Sequence, residues 1–337
     1  MMQKKHITLI VFGVILSLFI AGCGSKEVIG DAPTTPFLEG SQGLEITFLK
    51  GSPPDEVTDG ESFPFRVMVS LKNIGEFDLG KNMTNMSLMG FFPRSFNINP
   101  RDLVNKTPED DPSPRKRDSE GNIIESTETF VTFPNESVTT GYFNFVDNIQ
   151  GNTPFTFRVE VCYKYQTKAV SEICALANLV DVANDAICSP SGPKSVFSSG
   201  SPIAVTSFRQ NVVGSDKIQL SFDVVHSGSG TIFDPTTVAD CPKTPRDRRT
   251  KEDKVQITMD SGLTTDTLNC VGLSDVTGAA TAKQSGIVKL VNGRRTVTCT
   301  QDLGAGRTDF KKSVDINLTF NYLSSADKEI LVKHLIS

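Results

Sequence analysis

Cysteine is the residue type in this chain whose number and spacing point most directly to chemistry. The chain has seven cysteines among 337 residues, and six of them follow residue 160. None of the six has the C-x-x-C spacing of a zinc or redox site, and an even number of cysteines in an exported chain indicates disulfide bonds. The predicted disulfide cysteines are Cys162, Cys174, Cys188, Cys241, Cys270 and Cys299.

Local geometry favours one pairing among the many that six cysteines allow. Cys162 and Cys174 lie symmetrically about Lys168, which we predict to be the middle of a hairpin turn. Cys270 and Cys299 flank another predicted hairpin, which leaves Cys188 to pair with Cys241. The alternative is that the six cysteines are reduced, buried thiols.

The N-terminus has the order of segments found in export signals. Lys4 and Lys5 precede an uncharged run, residues 7–22. The run has about 16 residues, fewer than the roughly 20 that a membrane-spanning helix needs. The sequence therefore predicts a cleaved signal, residues 1–22, rather than a permanent span.

The signal ends in the tetrad Ile20-Ala21-Gly22-Cys23. This tetrad resembles the lipobox of bacterial lipoproteins, a motif that is also found in some archaea. The resemblance implies cleavage between Gly22 and Cys23, a lipid on the Cys23 sulfur, and attachment to a membrane leaflet. The alternative is an ordinary signal peptide with an incidental cysteine.

Composition disfavours several classes of function. The net charge is −5, and it becomes more negative when Lys4 and Lys5 are removed, so we expect no nucleic-acid partner. Of three histidines, only His226 and His334 remain after the signal. No Ser-His-Asp or Cys-His spacing and no P-loop motif is present. We expect no catalytic residue, no metal site, no cofactor and no enzymatic activity.

Two charged segments are further candidate sites. The run Glu109-Asp110-Asp111 has calcium-binding chemistry but lacks the EF-hand spacing. The run Arg246-Asp247-Arg248-Arg249 has the charge to contact anionic glycans or lipid headgroups. We interpret both runs as parts of solvated, mobile loops, residues 105–122 and 240–254.

Five Asn-x-Ser/Thr sequons are candidate glycosylation sites. The alternative is that their asparagines are unmodified. They are Asn82, Asn85, Asn105, Asn135 and Asn317.

Beyond a Gly- and Pro-rich tether, residues 23–40, the dominant pattern has the period of two that is typical of β-strands. Apolar residues at alternate positions predict strands with one buried face and one solvated face. Asn292-Gly293 predicts a type I′ turn. Residues 329–335 are predicted to be a terminal strand rather than a helix, and residues 175–188 to contain a helical turn. The four alternating sets are Phe63–Leu71, Phe155–Tyr165, Ile218–Val224 and Val314–Tyr322.

The strand pattern repeats along the chain. An offset of 155 residues places Phe63 on Ile218, Gly75 on Gly230, and Val159 on Val314. Matches at both ends of the unit share this one offset. The sequence therefore predicts an all-β chain with two tandem antiparallel sandwiches, residues 41–196 and 200–337, joined by residues 189–202.

The stretch "FPFRVMVSLKNIGEFDLG" resembles strands B and C of adhesion-related β-sandwich modules of the CARDB type. In such modules an alternating strand ends in Asn-x-Gly, and Asn73-Ile74-Gly75 matches. The second copy, "VVHSGSGTIF", lacks the Asn. The resemblance implies immunoglobulin-like, surface-exposed domains that act as spacers or binding platforms and carry no catalytic residues.

Together these features predict a lipid-anchored extracytoplasmic protein at the cell membrane, outer membrane or cell surface. Its expected role is structural or adhesive, with the membrane as one partner and an unidentified protein or glycan as the other. The alternative is a subunit of a surface layer or secretion assembly that pairs through edge strands. An extracytoplasmic enzyme or a solute-binding protein is a third class, with less support from the sequence.

Overall fold

The computed structural model describes residues 35–60, 63–134, 141–236, 239–263, 267–278 and 281–335. The chain divides into Met1–Thr35 and one compact unit, Pro36–Ser337. The predictions for Gly22, Cys23 and Asn135 lie outside the described residues. In the described ranges, no helix has the length and apolar character needed to cross a membrane.

The described part of the chain is all-β, with several antiparallel sheets and a single α-helix, α1 (Pro245–Lys251). Short 3-10 turns lie at Lys81–Met83, Pro93–Phe96 and Pro100–Leu103. The strands are β1 (Leu44–Phe48), β2 (Glu56–Thr58), β3 (Val67–Asn73), β4 (Thr84–Met89), β5 (Lys116–Arg117), β6 (Ile123–Ile124), β7 (Glu128–Phe133), β8 (Thr153–Ala175), β9 (Gly192–Pro193), β10 (Val196–Ser198), β11 (Ile203–Val212), β12 (Lys217–His226), β13 (Thr231–Phe233), β14 (Lys254–Asp260), β15 (Leu268–Val271), β16 (Ser274–Thr277), β17 (Lys283–Lys289), β18 (Arg294–Asp302) and β19 (Phe310–Lys333).

Strands β8 and β19 form the centre of a large sheet and pair antiparallel along nearly their whole length. Strands β4 and β10 pair with the free edge of β8. Strands β14, β13 and β2 pair in turn with the free edge of β19, and β17 and β16 continue the sheet beyond β14. This large sheet therefore contains strands from both halves of the chain.

Two smaller sheets cover one face of the large sheet. Their strand orders are β1-β3-β7 and β15-β18-β12-β11-β9. On β8 the buried residues alternate from Phe157 to Ala175, and on β19 from Val314 to Tyr322, so both covered stretches lie on one face. We call the opposite face the outer face; β8 presents Glu160 and Cys162 on it. The apolar residues of the covered face form one contiguous core.

The period-two pattern places most of its apolar residues as predicted. The buried sets include Val67, Val69 and Leu71 on β3, and Ile218, Leu220, Phe222 and Val224 on β12. Phe63 is an exception, because it precedes β3 and is 44% exposed.

The turn at Asn292 and Gly293 has the two positive φ angles of a type I′ turn, 51° and 72°. Val291 and Arg294 exchange both backbone hydrogen bonds across it. The flanking strands β17 and β18 belong to different sheets, so this turn makes a corner between two layers.

Three local predictions differ from the structure, and one is confirmed. Lys168 lies inside the unbroken strand β8, so no hairpin turn occurs there. Residues 175–188 contain turns and bends but no helix, and residues 240–254 contain α1 rather than only loop. The terminal strand is confirmed as far as Lys333, the last residue of β19.

The predicted junction between two domains is part of the folded body. Ser199, Gly200 and Ser201 are buried, and β10 pairs with β8 just before them. The large sheet joins the two predicted domains into the one compact unit. Period-two patterning specifies the buried face of a strand but not its neighbour, which is why the sharing of a sheet was not foreseen.

The end of the predicted tether is also bound to this body. The backbone N–H groups of Leu38 and Glu39 donate to the carboxylate of Glu76, at 2.9 and 3.1 Å. The N–H of Gly200 donates to the same carboxylate at 2.6 Å. One side chain therefore holds the start of the body against the middle of the chain.

The motif Asn73-Ile74-Gly75 has a clear structural role. Asn73 is fully buried, and its Oδ1 accepts hydrogen bonds from the Tyr165 hydroxyl at 2.8 Å and the Gly75 N–H at 3.3 Å. Its Nδ2 donates to the carbonyl oxygens of Phe77 and Pro112. The asparagine thus satisfies buried backbone groups where β3 ends.

Candidate binding cleft

A polar cleft of about 490 Å³ lies on the outer face of the large sheet. Its floor consists of residues that alternate with the buried ones: Asn85, Ser87 and Met89 on β4, Glu160 and Cys162 on β8, and Leu323 on β19. Asn105 contributes from a neighbouring loop. Its wall is the segment 239–251, which includes α1.

A disulfide ties this wall to the floor. Cys162 lies on β8, and Cys241, on the wall, bonds to it with a Cα–Cα separation of 5.8 Å. A small second core surrounds the bond, formed by Phe233, Ala239 and the partly buried Leu323. The wall therefore has apolar packing and a covalent bond at its base.

Helix α1 forms the rim of the wall, and local sequence explains why it is helical. Thr244 is the N-cap residue, and its Oγ1 accepts a hydrogen bond from the Asp247 N–H at 3.2 Å. Pro245 occupies the first turn, where a missing N–H costs nothing. Lys251 lies in the last turn, where positive charge is favourable.

Asn321 supports the chain that crosses the outer face before α1. It is fully buried, although it lies on the outer face of β19. Its Nδ2 lies 2.9 Å from Thr236 Oγ1, and 3.4 and 3.2 Å from the carbonyl oxygens of Asp234 and Asp240. This amide and the disulfide position the wall together.

Hydrogen bonds also cross the cleft itself. Lys243 Nζ donates to Ser87 Oγ at 3.4 Å. Asn85 Nδ2 donates to Asn105 Oδ1 at 3.2 Å. Backbone pairing sets Ser87 opposite Glu160, and Asn85 opposite Cys162. Donors and acceptors of several kinds therefore converge on one hollow.

Two cationic side chains of the wall form ion pairs in or next to the wall. Lys251 Nζ lies 3.4 Å from Asp240 Oδ2, and Arg248 Nε lies 3.2 Å from Glu252 Oε2. The Arg248 guanidinium also lies over the ring of Phe233, at 5.6 Å. These pairs fix the rim, and the exposed Arg246 and Arg249 leave it with a net positive charge.

Two of the three predicted disulfide pairings are wrong. The structure pairs Cys162 with Cys241 and Cys174 with Cys188, and it contains the predicted Cys270–Cys299 bond. Because β8 runs straight through Lys168, Cys162 and Cys174 lie on the same face of one strand but roughly 40 Å apart, too far to bond. Cys270 and Cys299 lie directly opposite on paired strands. Three disulfides are typical of an oxidising, extracytoplasmic compartment.

The acidic run does not form a metal cluster in the described residues. Asp111 Oδ1 accepts a hydrogen bond from the Lys81 N–H at 2.7 Å, and Lys81 Nζ donates to the Glu109 carbonyl at 2.9 Å. The run therefore packs against the start of the turn at residue 81. Arg246–Arg249 lie on α1, at the rim of the cleft.

The two histidines lie far apart, each beside a single partner. His226 Nε2 lies 3.0 Å from the Tyr322 hydroxyl, and burial lowers the pKa of this imidazole. His334 Nδ1 lies 2.7 Å from Asp59 Oδ2. The hydrogen bond from His334, and then the bond from the Leu335 N–H, lower the pKa of Asp59.

The four described sequons differ in accessibility. Asn82 and Asn105 are exposed, whereas Asn85 and Asn317 are half-buried. Asn85 and Asn105 both line the cleft. The structure therefore brings together two sequons that lie 20 residues apart.

Sequence reasoning did not find the cleft. Glu160 and Ser87 lie in ordinary alternating strands, and nothing in their spacing relates them to Lys243. One signal was present: Thr244-Pro245 followed by Asp247 is a helix-start pattern within a segment interpreted as loop. Recognising it would have placed the basic run on a helix.

Comparison with known proteins adds little to this geometry. No family model matches the chain. No curated protein matches it either. Among solved structures, one alignment spans 89% of this chain and 97% of the other, at 9% identity and a TM-score of 0.20. That chain belongs to a structure titled "Complete structure of manganese lipoxygenase of Gaeumannomyces graminis and partial structure of zonadhesin of Komagataella pastoris". A likeness this weak carries no argument about fold or function.

Proposed function

We propose that this chain is an exported lipoprotein, anchored through Cys23, with an adhesive or structural binding role at the cell surface. The lipobox-like tetrad and the three disulfides support export. The proposal describes a binding platform and assigns it no reaction. Its partners are the membrane, through the lipid, and a ligand held outside it.

One observation carries the binding role. The body begins near Leu38, whose backbone N–H donates to the Glu76 carboxylate. The neighbouring Gly75 lies against the Tyr165 hydroxyl, on the covered face of the large sheet. The cleft lies on the outer face of the same sheet. The start of the body and the cleft are thus on opposite faces of one sheet, so the start of the body does not cover the cleft.

The proposal includes two immunoglobulin-like repeats, fused rather than merely tandem. Strands β3 and β12, which the 155-residue offset relates, each lie at an interior position of a covering sheet. Strand β3 lies between β1 and β7, and β12 lies between β11 and β18. In both cases one neighbour comes earlier in the same half of the chain and the other comes later. This equal order supports a repeat that was joined through β8 and β19.

Anchoring is tested by intact mass and cell fractionation. The wild-type chain should lack residues 1–22, carry a lipid mass on Cys23 and sediment with membranes. Cys23→Ser should abolish the lipid adduct and release the chain. A wild-type chain that is soluble and unlipidated would refute the anchor.

Assembly through edge strands has weaker support in the described residues. The large sheet ends at β16, which has four residues and a shifted register, and β9 at the edge of a covering sheet has two. The longer edge strands β1, β4 and β7 have only five or six residues. Short and irregular edges oppose strand pairing. Sedimentation velocity of the Cys23→Ser chain should show a monomer across a range of concentrations; concentration-dependent oligomers would favour assembly.

A further inference from the structure

The size of the outer-face cleft suits a small ligand or a few units of a polymer. Its volume of about 490 Å³ lies within the roughly 300–1,000 Å³ of small-molecule sites. Such sites are mostly lined by apolar groups. This cleft differs, because polar and charged side chains line it together with the apolar Met89, Leu323, Ala239 and Pro242 and the disulfide.

The charges that line the cleft balance one another. The cationic residues are Lys243, Arg248 and Lys251, and the carboxylates are Glu160, Asp240 and Asp247. A strongly basic lining would favour phosphate or sulfate ligands, and a strongly acidic one would favour cations. Equal numbers among the lining residues favour a ligand that has no net charge; Arg246 and Arg249 lie on the rim and are not part of the lining.

Two of these charged groups are available to a ligand. Among the described residues, neither Glu160 nor Lys243 has an ion-pair partner, and the only bond from Lys243 is the long one to Ser87. They reach the cleft from different elements, β8 and the wall. One accepts hydrogen bonds and the other donates them, and Asn85 does both.

We propose that the cleft binds a neutral oligosaccharide through Glu160, Lys243 and Asn85. A sugar hydroxyl donates one hydrogen bond and accepts others, so neighbouring hydroxyls satisfy carboxylate, ammonium and amide groups together. Hydrogen bonds to charged groups are stronger than neutral ones. This inference deepens the proposed binding role and rests on it, but it does not depend on the lipid anchor.

Such a sugar has two sources. It belongs either to a glycan in the surroundings or to a glycan attached to the chain at Asn85 or Asn105, which both line the cleft. The intact mass of the chain from its own cells distinguishes them. A glycan mass that Asn85→Gln or Asn105→Gln removes identifies the attached source, and an unmodified chain identifies the external one.

The decisive experiment is calorimetric titration of the full exported chain with Cys23→Ser, made in a host without N-glycosylation. The probes are cellohexaose, maltohexaose and chitohexaose, with a sulfated heparin hexasaccharide as the anionic comparison. We expect at least one neutral probe to bind. Glu160→Gln and Lys243→Met should each weaken that binding about tenfold, because each removes a charge-assisted hydrogen bond.

Matched controls come from the same outer face. Glu172 on β8 and Lys311 on β19 form an ion pair at 3.3 Å, away from the cleft. Glu172→Gln and Lys311→Met repeat the same chemical changes and should leave binding unaltered. Because Lys243 is exposed, its replacement does not threaten folding.

Three results would overturn the inference: no binding of any neutral probe, binding of heparin alone, or equal loss in cleft and control variants. If no neutral probe binds but Cys23 carries a lipid, the oligosaccharide inference is wrong and the anchor proposal still holds. Conversely, an unlipidated chain that binds a neutral hexasaccharide through Glu160 refutes the anchor and supports the cleft.

Discussion

Tyr165 and Phe320 lie directly opposite each other in the ladder of β8 and β19. The 155-residue offset found in the sequence relates the same two residues. The pair lies close to the middle of this ladder, which runs from Thr153 to Ala175 on β8. Their rings lie 6.3 Å apart.

The two glycines that the offset relates, Gly75 and Gly230, each lie against a tyrosine of the central strands, Tyr165 on β8 and Tyr322 on β19. A Cβ on Gly75 would collide with the Tyr165 hydroxyl and lie 2.6 Å from the Gly200 carbonyl oxygen. A Cβ on Gly230 would lie 2.6 Å from Tyr322 Cε1. Each half of the chain thus passes a glycine across a buried tyrosine.

We predict that Gly75→Ala destabilises the fold by about 1–3 kcal/mol, the usual range for overpacking a filled interior. Gly80→Ala is the control, because nothing lies within 4 Å of the added Cβ, and it should change stability by less than about 0.5 kcal/mol. Urea denaturation measures both. Equal midpoints for the two variants would contradict the contact.

The Cys162–Cys241 disulfide should contribute more stability than Cys174–Cys188. The bonds span 79 and 14 residues, and loop-closure entropy predicts contributions of about 4.5 and about 3 kcal/mol. Paired serine replacements, followed by thermal denaturation, compare them. If removing Cys174–Cys188 costs more stability than removing Cys162–Cys241, loop-closure entropy does not determine the ranking of these two disulfides.

The same two variants separate stability from cleft geometry. Removing Cys162–Cys241 frees the base of the wall, so we expect weaker binding of the neutral hexasaccharide. Removing Cys174–Cys188 leaves the wall tied and should not change binding in the fraction that is folded. Unchanged binding without Cys162–Cys241 would mean that Asn321 and the apolar packing at the base of the wall are enough to position it.

Asp59 should make the C-terminal end of β19 sensitive to acid. Hydrogen bonds from His334 and from the Leu335 N–H lower its pKa below the ordinary value of 3.8. A lowered folded-state pKa contributes stability that is complete above the unfolded value and is lost as pH falls through the folded value. We therefore expect the thermal unfolding midpoint, measured from pH 7 to pH 2, to decrease once the pH is below about 4.

Two variants test the origin of that acid dependence. Asp59→Asn should lower the midpoint at pH 7 and flatten the fall below pH 4. His334→Gln should have a smaller effect, because the Leu335 N–H still donates to Asp59 Oδ1 at 2.9 Å. If the thermal midpoint of Asp59→Asn still decreases below pH 4 as in the wild type, other carboxylates cause the acid sensitivity.

The ion pair between Arg158 and Asp327 joins the two central strands on the outer face. Its two contacts are short, 2.7 Å from Nε and 2.8 Å from Nη2, but both side chains are about half exposed. Water and salt screen such pairs, so a double-mutant cycle with alanine should give only a small coupling energy. The coupling should shrink in 1 M salt; a value that salt does not alter would contradict screening.

Several features follow from the sequence because their causes are local. Alternation of apolar residues specifies which side of a strand is buried, and Val67, Ile218 and Val314 are buried accordingly. Asn292-Gly293 specifies its turn, because both residues tolerate positive φ. The pairing of Cys270 with Cys299 also follows from nearby strands.

Other features depend on which distant segments meet, and local patterns do not contain that information. Whether β8 turns at Lys168 or continues depends on a partner strand of similar length, which β19 supplies from the other half of the chain. Cys162 pairs with Cys241 because the chain crosses the outer face there, beneath α1. Glu160 and Lys243 share one cleft for the same reason. The sequence alone determined the strands and their buried faces; the tertiary structure decided their neighbours, and the cleft with them, because side-chain period specifies a face and only packing selects a partner.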